Sequence, residues 1–197
     1  MPLTSTMRTL VLPACGAVLW LLTPRPSLAS DPTRGDSKIA ASIFAGYAHQ
    51  LTSSTLPSYR FGIGGRFGWN LGRLDVGGAI TWHFGSSEEA VGPDISYESG
   101  YHLAYGGPEA GYNFSWMDIS IRPYLQAGVM VQRGHTTVGS AMATDNAWLF
   151  YGAPGVFVGY RFGRVYAGLD ARGVWVPART PDLCAVGGFA LLGVHLD

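Results

Sequence analysis

Eight segments that alternate between apolar and polar residues run through the sequence, and this pattern constrains the fold more than any other feature. Successive side chains of a β-strand point to opposite faces, so a period of two predicts strands with one apolar face. The eight segments are 38–49, 59–71, 74–84, 101–114, 118–132, 147–162, 165–176 and 183–196. The chain has 28 glycines and only 13% charged residues, a composition that suits closely packed strands.

The second segment shows the alternation most clearly. One parity is aromatic and aliphatic, whereas the other parity holds small or charged residues. The apolar parity comprises Tyr59, Phe61, Ile63, Phe67, Trp69 and Leu71, and the opposite parity comprises Arg60, Gly62, Gly64, Arg66, Gly68 and Asn70. The third, fifth and seventh segments repeat this pattern, which predicts one continuous apolar surface across the sheet.

The connections between the segments alternate between short and long. The predicted tight turns are Leu71-Gly72-Arg73, Ser115-Trp116-Met117 and Gly163-Arg164, and the predicted loops are 49–58, 85–100, 133–146 and the shorter 177–182. A chain that starts in the periplasm and crosses a membrane eight times would place every tight turn on the periplasmic side and every loop on the outer side, as outer-membrane barrels do. The pattern therefore predicts an up-and-down topology with both termini in the periplasm.

A membrane environment would require these strands to close into a ring. Lipid offers no hydrogen-bond partners to the backbone, so strands cross a bilayer only as a closed barrel. Each segment is long enough for the roughly 9 to 11 residues that a tilted crossing needs. We expect an all-β fold, an eight-stranded antiparallel up-and-down transmembrane β-barrel in the outer membrane of a Gram-negative bacterium. A soluble periplasmic ligand-binding β-barrel is the alternative, with its apolar face turned inward.

Aromatic residues cluster near both ends of the predicted strands. Transmembrane barrels carry aromatic girdles at the two membrane interfaces. The predicted girdle residues are Trp69, Trp116 and Phe162 beside the tight turns, and Trp82, Trp148 and Trp175 near the loops. Two belts at opposite ends of the strands favour the membrane hypothesis.

Charged residues on the less apolar parity are predicted to meet inside the barrel. Eight strands leave an interior that side chains just fill, and charges buried there must pair. The predicted network comprises Arg60, Arg66, Asp75, Glu109, Arg122, Arg161, Asp170 and Arg172. It would hold the barrel rigid, and a narrow pore lined by arginine is the functional alternative.

The first residues of the chain have the pattern of an export signal. The predicted organisation is a signal peptide over 1–29, a short leader over 30–37 and the barrel over 38–197. Arg8 supplies the positive start, 10–22 an apolar stretch too short to span a bilayer as a helix, and Ala29 the small residue at the cleavage site. A lipoprotein signal with Cys15 as the lipid-bearing residue is less favoured, because the apolar run continues beyond that cysteine.

The charge and cysteine content argue against nucleic-acid binding and against stabilisation by a disulfide. Removing 1–29 leaves 11 basic and 13 acidic residues, a net charge of −2, so no nucleic-acid partner is expected. Cys184 is then the only cysteine, so the exported chain is expected to have no intramolecular disulfide.

Three sequence elements resemble the small eight-stranded outer-membrane barrels, the group that includes the OmpA transmembrane domain, the OmpX and Ail proteins and the OmpW-like proteins. The elements are Phe67-Gly68-Trp69-Asn70-Leu71, Gly106-Gly107-Pro108-Glu109-Ala110-Gly111-Tyr112 and Arg122-Pro123-Tyr124-Leu125-Gln126-Ala127-Gly128-Val129. The resemblance covers Lys38 to the C-terminus. It implies insertion by the barrel-assembly machinery and contact with outer-membrane lipids and lipopolysaccharide.

Candidate catalytic and metal-binding residues are few. Some small outer-membrane barrels modify lipid A, and the best catalytic candidate here is His83, together with Ser86, Ser87, Glu88 and Glu89. His83 falls on the interior parity, however, whereas a lipid-cutting site should face the bilayer. The histidines lack ligand spacing, so neither a metal nor a cofactor is expected.

The expected function is therefore that of a non-enzymatic, monomeric outer-membrane barrel with a structural, adhesive or narrow-pore role. Its outer loops could bind an extracellular partner. A lipid A-modifying enzyme remains the alternative within the membrane hypothesis.

Overall fold

The computed structural model describes residues 39–51, 59–85, 87–91, 96–138, 141–177 and 183–196. The predicted signal peptide and leader, 1–37, lie outside the described residues. All described residues belong to one unit, Asp36–Asp197. Over these ranges, no helix is long and apolar enough to cross a membrane.

Ten strands form a single antiparallel sheet. They are β1 Ile39–Gln50, β2 Phe61–Leu71, β3 Leu74–His83, β4 Ser87–Val91, β5 Ser96–Tyr112, β6 Phe114–Trp116, β7 Ile119–Val138, β8 Ala141–Phe162, β9 Val165–Val176 and β10 Leu183–Leu196. Two of them are short continuations: β4 follows β3 beyond Gly85 and pairs with β5, and β6 follows β5 beyond Asn113 and pairs with β7. Eight long strands remain.

The eight long strands close into a barrel. Each pairs with its neighbours in sequence, and the ring closes where Ile39 of β1 pairs with Leu196 of β10 and continues in register to Gln50 and Ala185. This up-and-down order confirms the predicted eight-stranded antiparallel barrel. Ile39 also pairs with Trp69, near the first tight turn, so β1 begins and β10 ends on the side of the tight turns. We call this side the turn end and the opposite side the loop end.

Three two-residue turns connect strands at the turn end. They are Gly72-Arg73, Met117-Asp118 and Gly163-Arg164, each with a positive φ at its first residue. Short hairpin turns favour positive φ because it matches the twist of the strands, and glycine adopts it at no steric cost. The second turn was predicted one residue too early: Trp116 belongs to a strand and pairs with Ile119, and Met117 adopts the positive φ of 56°.

Strands at the loop end are longer than the sequence predicted. The segment 133–146 was expected to be a loop, but β7 and β8 pair continuously from Ile119 and Tyr160 to Val138 and Ala141. The predicted loop 85–100 likewise contains β4 and the start of β5. The prediction was wrong here because it depended on apolar alternation. Backbone pairing alone extends these strands, and it leaves no apolar alternation in the sequence.

The predicted parities match the two faces of the wall. Ile63, Ile80, Leu125 and Leu169 are exposed on the outside, whereas polar residues such as Gln126 are buried inside. Tyr59 departs from the prediction: it precedes β2 and is buried, so the alternation begins only at Phe61.

We expect Ile63→Arg to destabilise the barrel by roughly 1–3 kcal/mol, because it places a charge on the apolar outer face, between the girdle level of its partner Trp82 and the middle of the wall. Gly64→Arg should destabilise it for another reason: a Cβ atom at Gly64 would collide with the Phe44 ring inside the barrel. Thr144→Arg, on the exposed hairpin, is the control. Urea unfolding of the protein in lipid vesicles measures all three, and equal tolerance at Ile63 and Thr144 would contradict the assignment of faces.

Candidate functional site

A chain of alternating charges crosses the interior of the barrel. Arg172 Nε lies 2.9 Å from Asp170 Oδ1, and Asp170 Oδ2 lies 2.7 Å from Arg66 Nη2. Arg66 Nε lies 3.0 Å from Glu109 Oε1, which also accepts from Arg122 Nη2 at 2.9 Å. The chain ends where Arg122 Nη1 meets Asp75 Oδ2 at 2.8 Å. We call these six residues the interior network.

The interior network is electrically neutral and buried. It joins three arginines to three carboxylates contributed by β2, β3, β5, β7 and β9, and its side chains are between 0% and 13% exposed. An isolated buried charge would carry a large desolvation cost, which pairing and hydrogen bonds offset. Every charged side chain here lies next to one of opposite charge, so pairing offsets the desolvation of the network inside the barrel.

Aromatic rings and hydroxyl groups hold the network in place. Tyr124 donates its hydroxyl hydrogen to Asp170 Oδ1 at 2.7 Å, and Arg172 Nη1 donates to Thr81 Oγ1 at 3.2 Å. The guanidinium carbon of Arg172 lies 4.5 Å from the ring centroids of both Phe44 and Phe189. Cation–π contacts of this kind are strongest where the cation is desolvated. These contacts hold the Arg172 guanidinium between two aromatic rings and beside Thr81.

The structure brings together six of the eight residues predicted for the network and leaves out two. Arg60 is exposed, because it lies in a bend before β2 and outside the regular alternation. Arg161 lies near the turn end, where its Nε donates to the carbonyl oxygen of Gly163 at 2.9 Å in an exposed hydrogen bond. Arg60 precedes β2 and Arg161 lies at the end of β8, so neither reaches the middle of the lumen.

A second layer, which we call the aromatic plug, fills the lumen on the loop side of the network. Its core consists of the buried side chains Tyr59, Leu103, Tyr105, Met130 and Tyr151. The rings of Tyr105 and Tyr151 are 5.0 Å apart, and the Tyr59 hydroxyl lies 3.8 Å from Met130 Sδ. The sequence prediction for the interior did not include this layer, because it was based on charged residues alone. Met130 on the interior parity was a signal that apolar residues also face inward.

The turn end of the lumen is also occupied by side chains. The ring centroid of Tyr166 lies 6.0 Å from that of Phe157 and 4.8 Å from that of His195. Phe157 also lies beneath Arg122, whose guanidinium carbon is 5.8 Å from the ring centroid. The network is therefore bounded by aromatic side chains on both sides.

The predicted girdle residues all lie on the outer surface. Trp69, Trp82, Trp116, Trp148, Phe162 and Trp175 are 47–71% exposed. Trp69, Trp116 and Phe162 lie beside the tight turns, and the other three lie toward the loop end. These large apolar surfaces face outward, as they would for contact with lipid.

His83, the best catalytic candidate of the sequence, lies inside the aromatic plug. Its side chain is fully buried, its Nδ1 lies 3.0 Å from the carbonyl oxygen of Arg60, and its ring stacks 5.7 Å from that of Tyr105. No serine hydroxyl bonds to it among the described residues. In the part of the chain that the structure describes, no group of three or more His, Cys, Asp or Glu side chains could hold a metal ion.

Solved structures share this architecture. Neisserial surface protein A superposes with a TM-score of 0.54 at 16% identity, covering 80% of this chain and 97% of that protein. The chain has the fold of the small outer-membrane barrels. A major outer membrane protein of Thermus thermophilus matches this small-barrel fold with a TM-score of 0.50 at 10% identity, covering 80% of this chain and 98% of that one. No family model matches the sequence, and no curated protein matches it.

We expect Arg66→Met to destabilise this barrel by about 3–5 kcal/mol, because it leaves Asp170 and Glu109 buried with one cation fewer. Asp75→Asn should lower the free energy of unfolding by less, since Asp75 ends the network and is partly exposed. Unfolding by guanidinium chloride in detergent micelles, followed by tryptophan fluorescence, measures both changes. A smaller loss for Arg66→Met than for Asp75→Asn would show that the network does not stabilise the fold as inferred.

Proposed function

We propose that this protein is exported through a cleaved signal peptide and resides in the outer membrane as a closed, non-enzymatic barrel. In this role the barrel is a rigid support that presents its loop-end hairpins outside the cell. The observation that carries the proposal is the combination of an apolar outer face with a lumen filled by charge pairs and aromatic rings.

The outer face supports a membrane location over a soluble one. Ile43, Phe61, Phe150 and Leu169 are each more than half exposed, and they project from four different strands. Soluble monomers rarely expose contiguous apolar patches of more than a few hundred Å². A soluble ligand-binding barrel would instead turn its apolar face inward, and the interior here contains the charged network.

The filled lumen supports a structural or adhesive role over a pore. An ion would have to pass the aromatic plug and then a neutral network in which each charge is already paired. Separating such pairs in a poorly hydrated interior is costly. An eight-stranded barrel has an interior only wide enough for side chains, which agrees with this interpretation.

The absence of an assembled nucleophile and base among the described residues supports a role without catalysis. His83 faces the lumen, away from any lipid substrate, and is enclosed by the rings of Tyr59 and Tyr105.

The proposed partners are outer-membrane lipids and lipopolysaccharide along the wall, the barrel-assembly machinery during insertion, and an extracellular partner at the hairpins. The barrel is proposed to act as a monomer.

Fractionation of cells that express the full chain tests the location. We expect the protein in the outer-membrane fraction, with an N-terminus that begins after residue 29 or 30. We also expect its migration on a detergent gel to change on boiling, because a closed barrel resists unfolding in cold detergent. A soluble periplasmic product, or migration that heating does not change, would overturn the proposed location.

Planar-bilayer recording tests the closed lumen. We expect no single-channel steps from purified, folded protein at neutral pH, because the plug and the network fill the bore. A porin recorded in the same lipid mixture is the positive control for the apparatus. Regular conductance steps from the wild-type protein would favour the narrow-pore role instead.

A further inference from the structure

An apolar groove runs across the outside of the barrel. It has a volume of about 660 Å³ and crosses β10, β1, β2 and β3. Its exposed walls include Ile43, Ile63, Ile80 and Leu192, and Gly65 forms part of its floor. A Cβ atom at Gly65 would meet nothing closer than a backbone oxygen at 3.7 Å, so the space above this glycine is open. A groove of this kind on the apolar outer face would accept a flexible hydrocarbon chain.

Trp82 lines the groove, and a group of polar side chains continues from this residue toward the loop end. The ring centroid of Trp82 lies 6.3 Å from that of His102, and His102 stacks on His135 at 6.2 Å. Arg133 lies directly opposite His102 in the pairing of β5 with β7. Asn146 is opposite Arg133 on β8. We call His102, Arg133, His135 and Asn146 the donor cluster.

The strand register places the donor cluster on the outer face. Leu103 and Met130 are fully buried inside, so the alternation turns His102, Arg133 and His135 outward. Leu103 pairs with His83, which sets His102 level with Phe84, two residues beyond the girdle residue Trp82. Lipid head groups lie at this level in a spanning barrel.

The chemistry of the donor cluster matches a phosphate group. A guanidinium is always charged and binds phosphate through two parallel N–H donors, while imidazole and amide groups add further donors. Arg133 is exposed, and none of the ion pairs found among the described side chains involves it. Nδ1 of His102 is buried without a hydrogen-bond partner among the described residues, although buried polar groups are normally satisfied.

We propose that the groove and the donor cluster together bind one phosphate-bearing lipid of the outer leaflet, with its acyl chain in the groove and its phosphate at Arg133, His102 and His135. Trp82 belongs to the groove and contacts the cluster, so it joins the two halves of the site. This inference rests on the proposed outer-membrane location and assigns to specific residues the lipid contact that the location implies.

Native mass spectrometry of the full-length exported protein in a non-ionic detergent, with added phosphatidylglycerol, tests the site. We expect wild-type protein to retain one lipid, and Arg133→Gln to lower the retained fraction about tenfold, because a charge-assisted contact to phosphate is lost. Gly65→Leu should lower it similarly by filling the groove. Two matched controls should retain the lipid: Arg164→Gln, at the turn end, and Gly173→Leu, where a Cβ atom would meet nothing closer than 3.9 Å.

Two further probes identify the ligand chemistry. Diacylglycerol has the same chains without phosphate, and inorganic phosphate has the anion without chains. We expect weak retention of the first and no displacement of phosphatidylglycerol by the second. The proposal would be overturned if diacylglycerol were retained as well as phosphatidylglycerol, or if inorganic phosphate displaced phosphatidylglycerol. It would also be overturned if Arg133→Gln or Gly65→Leu retained the lipid as the wild type does. A wild-type dimer that Gly65→Leu dissociates would overturn it as well, since the groove would then be an interface between two copies.

The heat-dependent gel shift of each variant, run in parallel, shows whether the barrel is folded. A folded variant that fails to retain lipid reports on the site, whereas loss of the gel shift reports on the fold. Failure of the wild-type protein to reach the outer membrane would contradict the proposed function, and the detergent binding measurement would still decide the site.

Discussion

Satisfaction of the backbone hydrogen bonds by ring closure is the constraint on which the rest of this structure depends. The ring closes where β1 pairs with β10 over its whole length, from Ile39 and Leu196 to Gln50 and Ala185. Once no strand edge remains along the wall, the outer face can be apolar and the inner face can hold charges. The two parities of each strand then acquire opposite environments.

The interior network follows from that closure. Eight strands enclose a space that a few long side chains fill, so the arginines of β2, β7 and β9 meet carboxylates from three strands. Their alternation keeps the layer neutral, and the rings of Tyr124, Phe44 and Phe189 pack against the guanidinium groups. The same packing places charge pairs and aromatic rings across the part of the lumen that the structure describes. The proposed contacts with other molecules therefore lie on the outer wall and at the loop end.

Both faces of the wall were predictable where alternation was regular, and they were mispredicted where it stopped. Ile63 and Arg66 have the predicted faces because both lie inside β2. Tyr59 and Arg60 do not, because the chain bends before β2 and the period of two no longer applies. The hairpin of β7 and β8 was mistaken for a loop, since 133–146 carries no regular apolar alternation to detect.

The sequence by itself determined the number of strands, their order and the parity of their side chains, because these depend on a local period and on the lengths of the connections. Only the tertiary structure decided which residues meet across the lumen. Arg161 has the same parity as Arg122, yet only Arg122 pairs with Glu109, because height along the barrel depends on the register between strands. That register also placed Trp82 beside His102, a contact between strands that periodicity along one strand cannot predict.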